Sequence, residues 1–158
     1  MSFTTENYSD NYVTDKKGWE IIKPYIPTDK KIWSPFYCDG TQKDIFNDMG
    51  FDIIHQDNDF FSYTPEYDIV IDNPPFSKKR DICIKLKELD KPFILILPSV
   101  MLSCKWFLDL FKDQLQILVP YNRTKFKHLN NENKNYTPPY ACFYFTYKMN
   151  MENDIIYI

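Results

Sequence analysis

The fold is decided by residues 67–76, which read YDIVIDNPPF. Residues 67–72 are nearly all apolar, and such a run is typical of a strand buried on both faces of a parallel sheet. The two prolines that follow cannot continue the strand, and Ser77 is suited to cap a helix that extends to Leu89. The stretch therefore predicts a buried strand, a turn and a helix in direct succession.

The same alternation of strand and helix extends outward in both directions. Further strands are predicted at residues 31–33, 51–55, 92–97, 115–119 and 140–147, with a short edge at 155–158. Helices are predicted at residues 18–25, 41–49 and 100–111, the last with Leu102, Trp106 and Leu110 on one stripe, and a polar loop is predicted at residues 130–139. These elements predict an α/β fold with a mostly parallel sheet flanked by helices. Ligands of such sheets bind beyond the carboxyl ends of the strands.

Length and composition favour one cytoplasmic domain. Residues 1–158 suit a single core, with the polar residues 1–13 expected to be flexible. No signal peptide and no apolar run of membrane-spanning length is found, which predicts a cytoplasmic protein without membrane partners. Abundant Asn, Lys and Ile suggest an AT-rich, phage-like or viral genome, and hence the host cytoplasm. The four cysteines lack metal-ligand spacing, so reduced thiols and no metal site are expected.

Residues 73–76 favour chemistry on an amine. The consecutive prolines fix two φ angles and remove two backbone donors, so the turn can present oxygen acceptors. The Asn73 amide oxygen and the Pro74 carbonyl can each accept one hydrogen of an exocyclic NH2 group, and Phe76 can stack on a flat base. The alternative is a proline-rich turn that only ends a strand.

This tetrapeptide resembles the (Asp/Asn/Ser)-Pro-Pro-(Tyr/Phe) motif of amino methyltransferases, which act on adenine N6, cytosine N4 or protein glutamine. More narrowly, roughly residues 12–147 resemble the small phage-type DNA N6-adenine methyltransferases. The resemblance implies a Rossmann-like class I methyltransferase sheet and S-adenosyl-L-methionine as cofactor. It assigns catalysis to Asn73, Pro74, Pro75 and Phe76, with methyl transfer to adenine N6 in DNA or RNA.

The resemblance also implies a cofactor site. Residues 34–40, SPFYCDG, are similar to the family's loop Asp-Pro-Phe-x-Gly-x-Gly, with Ser34 in place of the first acid and Cys38 in place of a glycine. The implied cofactor contacts are Thr14, Ser34, Pro35, Phe36, Asp39, Gly40, Asp57, Asp59 and Phe60. Asp57 is expected at the ribose hydroxyls and Asp59 near the adenine amine, although one of them can serve both roles because the segment before the catalytic strand is short. The alternatives are an ordinary strand-to-helix turn and solvated loop acids.

Nucleic acid is the expected partner, DNA more than RNA, although the net charge of −3 gives it no overall attraction. The residues assigned to substrate are Lys78, Lys79, Arg80 and Arg123 for phosphate and Ser99 for the target base. Solvated surface charge is the alternative for the basic residues. A homodimer or a partner subunit can supply target recognition. Two rival functions stay open: a protein glutamine N5 methyltransferase, and a degenerate module that binds cofactor or nucleic acid without catalysis.

Overall fold

The computed structural model of the protein describes residues 12–129 and 131–158, with only the backbone of residues 131–136. The described α-helices are α1 (Lys16–Glu20), α2 (Thr41–Asp48), α3 (Lys79–Leu89) and α4 (Lys105–Phe111). The described strands are β1 (Tyr12–Thr14), β2 (Ile32–Trp33), β3 (Ile53–Ile54), β4 (Ile69–Asp72), β5 (Phe93–Pro98), β6 (Leu115–Val119), β7 (Phe126–His128), β8 (Asn131–Tyr136), β9 (Cys142–Tyr147) and β10 (Ile155–Tyr157). Within this part of the chain, no helix is long and apolar enough to cross a membrane.

The central sheet has seven strands in the order β3-β2-β4-β5-β9-β6-β10. Strand β9 runs antiparallel to β5 and β6, and the other neighbouring strands are parallel. Every residue of β4 and β5 is buried, as the continuous apolar runs predict. The expected mixed α/β fold, with a mostly parallel sheet flanked by helices, is confirmed.

Side chains of the central strands alternate between two cores, one on each face of the sheet. On one face, the core beside α1 and α2 contains Ile71, Ile94, Trp19 and Phe46. On the other face, the core beside α3 and α4 contains Val70, Leu95, Ile82 and Phe107. Both faces of β4 are therefore covered, and the chain leaves the core at the turn after Asp72.

A second, antiparallel sheet has the order β1-β7-β8 and corrects two expectations. Tyr12 and Val13 were expected in a flexible terminus, but they pair with His128 and Lys127 of β7. Residues 131–136, expected to be loop, form β8. The polar sequence of β8 has no alternating apolar pattern, so the sequence did not predict a strand there. The strand forms because its backbone pairs with β7. Residues 1–11 and Asn130 lie outside the described residues.

Two helix predictions need correction. Ser77 does not cap α3, because it lies within a 3-10 turn, Phe76–Lys78, that precedes the helix. The helix expected at 100–111 is broken at Cys104, whose extended backbone separates a 3-10 segment, Ser99–Ser103, from α4. The helical stripe therefore does not continue across the break, and Leu102 is 43% exposed whereas Phe107 is fully buried.

Candidate active site

A cavity of about 320 Å³ opens where the chain leaves the carboxyl ends of β2, β3 and β4. Its walls come from the loop after β2, the segment at 57–61, the turn after β4, and the second sheet, which contributes β1 and Phe126. The cavity lies at the sheet edge where an α/β fold is expected to bind its ligand.

Most of the residues assigned from the sequence line this one cavity. The lining residues among them are Thr14, Pro35, Phe36, Asp39, Asp57, Asp59, Phe60, Asn73, Pro74, Pro75, Phe76 and Lys78. The assigned residues that do not line it are Ser34, Gly40, Lys79, Arg80, Ser99 and Arg123. The structure thus joins the expected catalytic turn to most of the expected cofactor residues, and to one of the expected phosphate ligands.

Asn73 lines the cavity and carries an unsatisfied acceptor. Its Nδ2 donates to Thr14 Oγ1 at 3.1 Å, which fixes the plane of the amide. Its Oδ1 is buried and has no hydrogen-bond partner among the described residues. Leaving such an acceptor unpaired costs about 1–3 kcal/mol, and native proteins rarely retain one without a reason. A ligand that brings an N–H donor to this oxygen would satisfy it.

Aromatic rings stand on two sides of the cavity. Phe76 and Tyr140 are 6.3 Å apart between ring centroids, with an angle of 51° between their planes. Phe36 and Phe60 are 5.2 Å apart on the side of the loop after β2. Phe60 is only 5% exposed, so Phe36 offers the more accessible ring surface. The two groups of rings suit flat, apolar ligands.

Asp72 is a buried carboxylate that the sequence analysis did not single out. Its Oδ2 accepts hydrogen bonds from the Phe36 backbone N–H at 2.7 Å and from Ser34 Oγ at 2.9 Å. Its Oδ1 accepts from the Asn73 backbone N–H at 2.7 Å and from Gln42 Nε2 at 3.3 Å. Burial raises the pKa of Asp72 to about 7, although these hydrogen bonds act to lower it. An acid at the end of an otherwise apolar strand was the available signal.

Two residues assigned to cofactor contact stand behind the cavity wall instead. Ser34 is fully buried and donates to Asp72. Gly40 has a φ of +79°, and a Cβ built there would lie 2.6 Å from the Tyr37 hydroxyl. Glycine is therefore required at position 40 by backbone conformation and by Tyr37. Cys38 has a φ of +53°, so it adopts the left-handed conformation that glycine would favour, and it lines the cavity.

Besides Asp72, three carboxylate residues line the cavity. Asp39 Oδ1 accepts from the Thr41 backbone N–H at 3.1 Å, at the start of α2. Asp59 Oδ1 accepts from the Phe61 backbone N–H at 3.2 Å. Asp57 is exposed, and its carboxylate makes no hydrogen bond within the described chain. Of the three, Asp57 therefore has the most capacity to accept hydrogen bonds from a ligand.

The residues assigned to substrate are only partly assembled. Lys78 lines the cavity, whereas Lys79 Nζ donates to the Phe76 carbonyl at 3.2 Å and Arg80 lies over the Trp106 ring at 5.8 Å from its centroid. The Ser99 backbone N–H donates to the Ala141 carbonyl at 2.8 Å, outside the cavity lining. Arg123 is exposed, just before β7. The structure brings only Lys78 of this set to the cavity.

No model of a known protein family matches this chain, and no curated protein matches it. The case for a function therefore rests on the residues and their geometry.

The other residues with reactive or metal-binding side chains contribute to packing in the described part of the chain. In the described ranges, no group of three His, Cys, Asp or Glu side chains is arranged to hold a metal ion. Trp19 is fully buried against Phe46. His55 Nδ1 lies 2.8 Å from the Ser34 carbonyl, and burial lowers the His55 pKa. Its ring stacks on Tyr37, so it supports the loop from behind.

Proposed function

We propose that this protein is an S-adenosylmethionine-dependent methyltransferase that methylates the N6 amine of adenine in nucleic acid. The observation that carries the proposal is the buried, unpartnered Asn73 Oδ1 in a turn that lines the cavity. An exocyclic amine is a donor of the right kind for it. The mostly parallel seven-stranded sheet is compatible with the Rossmann-like class I methyltransferase sheet that the sequence resembles.

Asn73 and Pro74 would hold the amine by its two hydrogens. With both hydrogens donated to oxygens, the nitrogen lone pair points away from the turn and into the cavity. The same oxygens would stabilise the positive charge that develops on nitrogen as the N–C bond forms and the bond between the methyl group and sulfur breaks, and the amine proton would then leave for solvent. The bond from Asn73 Nδ2 to Thr14 keeps Oδ1 aimed before the substrate arrives. Phe76 and Tyr140 would fix the plane of the base.

The residues present fit the cofactor. When bound, its sulfonium supplies the methyl group. The cavity volume falls in the range of about 300–1,000 Å³ that small-molecule sites occupy. Asp57 follows β3, where a carboxylate can accept two hydrogen bonds from ribose hydroxyls. Phe36 and Phe60 would lie along the adenine ring.

A row of basic side chains favours nucleic acid over protein as the substrate. Arg123, Lys125 and Lys127 are exposed, and they alternate with the buried residues Thr124 and Phe126. Lys127 belongs to β7 and the other two residues precede it, and the alternation of exposed and buried residues puts the three cations on one side of the segment. The row therefore lies on the outer side of a segment whose inner residue Phe126 lines the cavity. A line of cations beside the cavity suits a phosphate backbone.

The experiment that tests the proposal presents methyl-labelled cofactor with pools of DNA, RNA and protein, followed by mass analysis of nucleosides and peptides. N6-methyladenine is the expected product, and Asn73→Ala should form it about a hundredfold more slowly. Methylated glutamine without methylated adenine would replace the proposal with the protein-directed reading. Cofactor binding without any methylated product would favour the degenerate module.

A further inference from the structure

One carboxylate ties together the two halves of the candidate site. Asp72 is 1% exposed and lies at the end of β4. It accepts from the Phe36 backbone N–H in the loop after β2 and from the Asn73 backbone N–H in the catalytic turn, each at 2.7 Å. Ser34 and Gln42 donate to it from the loop and from α2. Residues 34 to 42 and the turn are thereby held to a single side chain.

Stability alone does not explain why a buried carboxylate joins these two segments. Removing a carboxylate from water carries a large desolvation cost, and apolar residues of similar size often replace buried ionic groups without loss of stability. Burial raises the pKa of Asp72 to about 7, in keeping with that cost. What the carboxylate provides, and an apolar side chain cannot, is a fixed direction for two backbone N–H groups.

We propose that Asp72 is the positioning residue that sets the loop at 34–40 relative to the turn at 73–76. It acts through the backbone of Phe36 on the cofactor side and of Asn73 on the amine side. The role in methyl transfer rests on the proposed function, whereas the locking of the two segments does not.

The pairing with Ser34 provides an unusually direct test. Ser34 Oγ is 2.9 Å from Asp72 Oδ2, so the two side chains meet between adjacent strands β2 and β4. The double variant Ser34→Asp with Asp72→Ser exchanges the carboxylate and the hydroxyl across this contact. It keeps a carboxylate near the same donors but attaches it to the other strand.

The first measurement needs no cofactor. Amide hydrogen exchange of Phe36 and Asn73, followed by NMR, reports the two backbone bonds directly. In Asp72→Ser we expect both amides to exchange about tenfold faster, since each loses its hydrogen-bond acceptor. The exchanged pair should return both rates to within about threefold of the parent. Unchanged rates in the single variant, or no recovery in the double variant, would overturn the proposal.

The second measurement is cofactor affinity with the single-turnover methylation rate. Asp72→Ser should raise the cofactor Kd about tenfold and lower the rate, and the exchanged pair should recover both. The matched control is Asp68→Ser. The Asp68 carboxylate also accepts a backbone N–H across β2 and β4, from Lys31 at 2.7 Å, but at the end of β4 away from the cavity. Its loss should leave the Kd and the rate unchanged.

The outcomes separate this proposal from the proposed function. If the parent binds no cofactor and methylates nothing, the proposed function fails, and the exchange rates still decide the role of Asp72. If the parent methylates and Asp72→Ser binds cofactor and methylates equally well, the positioning role fails alone. If Asp72→Ser does not fold, the exchanged pair decides: a folded protein with parent-like exchange supports the proposal, and an unfolded one overturns it.

Discussion

Asn73→Ala should reduce methyl transfer without destabilising the fold, which is an unusual combination for a half-buried polar residue. In the parent, Asn73 Oδ1 is buried without a partner, and Nδ2 makes one hydrogen bond, to Thr14. Removing the unpaired acceptor recovers about 1–3 kcal/mol of desolvation penalty, and losing the neutral hydrogen bond costs about 1 kcal/mol. The free energy of unfolding should therefore stay within about 1 kcal/mol of the parent or rise.

The rate should change far more than the stability. Loss of one pre-aimed acceptor at a site of developing charge typically lowers the rate about a hundredfold, or about 3 kcal/mol of transition-state stabilisation. Single-turnover methylation, cofactor titration and urea unfolding of the same preparation give the three quantities. Cofactor affinity should barely change, because the proposed role of Asn73 is to hold the amine and not the cofactor.

Thr14→Val is the matched control, since it removes the same hydrogen bond from the other end and leaves Oδ1 in place. It should lower the rate less than Asn73→Ala, because the oxygen remains but is less firmly aimed. The reasoning is refuted if Asn73→Ala methylates as fast as the parent, or if it unfolds several kcal/mol more easily, since Asn73 would then be a structural residue of a turn.

Three further predictions concern the cavity, the buried acid and the basic row. Cys38 lines the cavity, so saturating cofactor should slow its reaction with a thiol reagent, as measured by mass spectrometry. Cys83, whose pKa burial raises to about 12, should react only on unfolding, and equal labelling of Cys38 with and without cofactor would contradict the site. The pKa of Asp72 is raised from 3.8 to about 7, so its stabilising contribution is complete only below pH 3.8 and is lost as the pH rises through 7. Urea unfolding between about pH 3 and pH 8 should show the parent losing on the order of 4 kcal/mol relative to Asp72→Asn, and a constant difference would contradict the shift. Replacing Lys125 and Lys127 with Gln should lower oligonucleotide affinity and reduce the slope of log Kd against log salt by roughly 2, and an unchanged slope would remove the row from the interface.

The parts of the fold that the sequence predicts are those where burial dominates. Apart from Asp72, strands β4 and β5 are apolar runs, because both their faces are covered. Strand β8 was expected to be loop because its side chains are polar. It forms through backbone pairing with β7, which leaves no apolar pattern in the sequence. The break at Cys104 shows a similar limit, since a backbone kink can shift a helical stripe by one residue.

The candidate site also has a part that the sequence predicts and a part that it does not. Asn73, Phe36 and Asp57 could be placed at one cavity because each follows a strand, and parallel strands end at one edge of the sheet. The role of Asp72 could not be predicted, because its partners Phe36 and Asn73 converge only when β2 and β4 pair. The partners of Asp72 are therefore set by strand pairing and cannot be read from the sequence around it.

The most direct test of the account is methyl transfer to a defined amine. The substrates would be single-stranded and duplex oligonucleotides of DNA and of RNA, each with one adenine at a fixed position among randomised neighbours. Matched pools would carry purine at that position, because purine lacks the exocyclic amine. With methyl-labelled S-adenosylmethionine, we expect label at adenine N6, fastest in single strands because no base pair must open. The purine pools should stay unlabelled, and Asn73→Ala should be slower by about a hundredfold. Label that appears equally in the purine pools, or no N6-methyladenine in any adenine pool, would contradict the central claim.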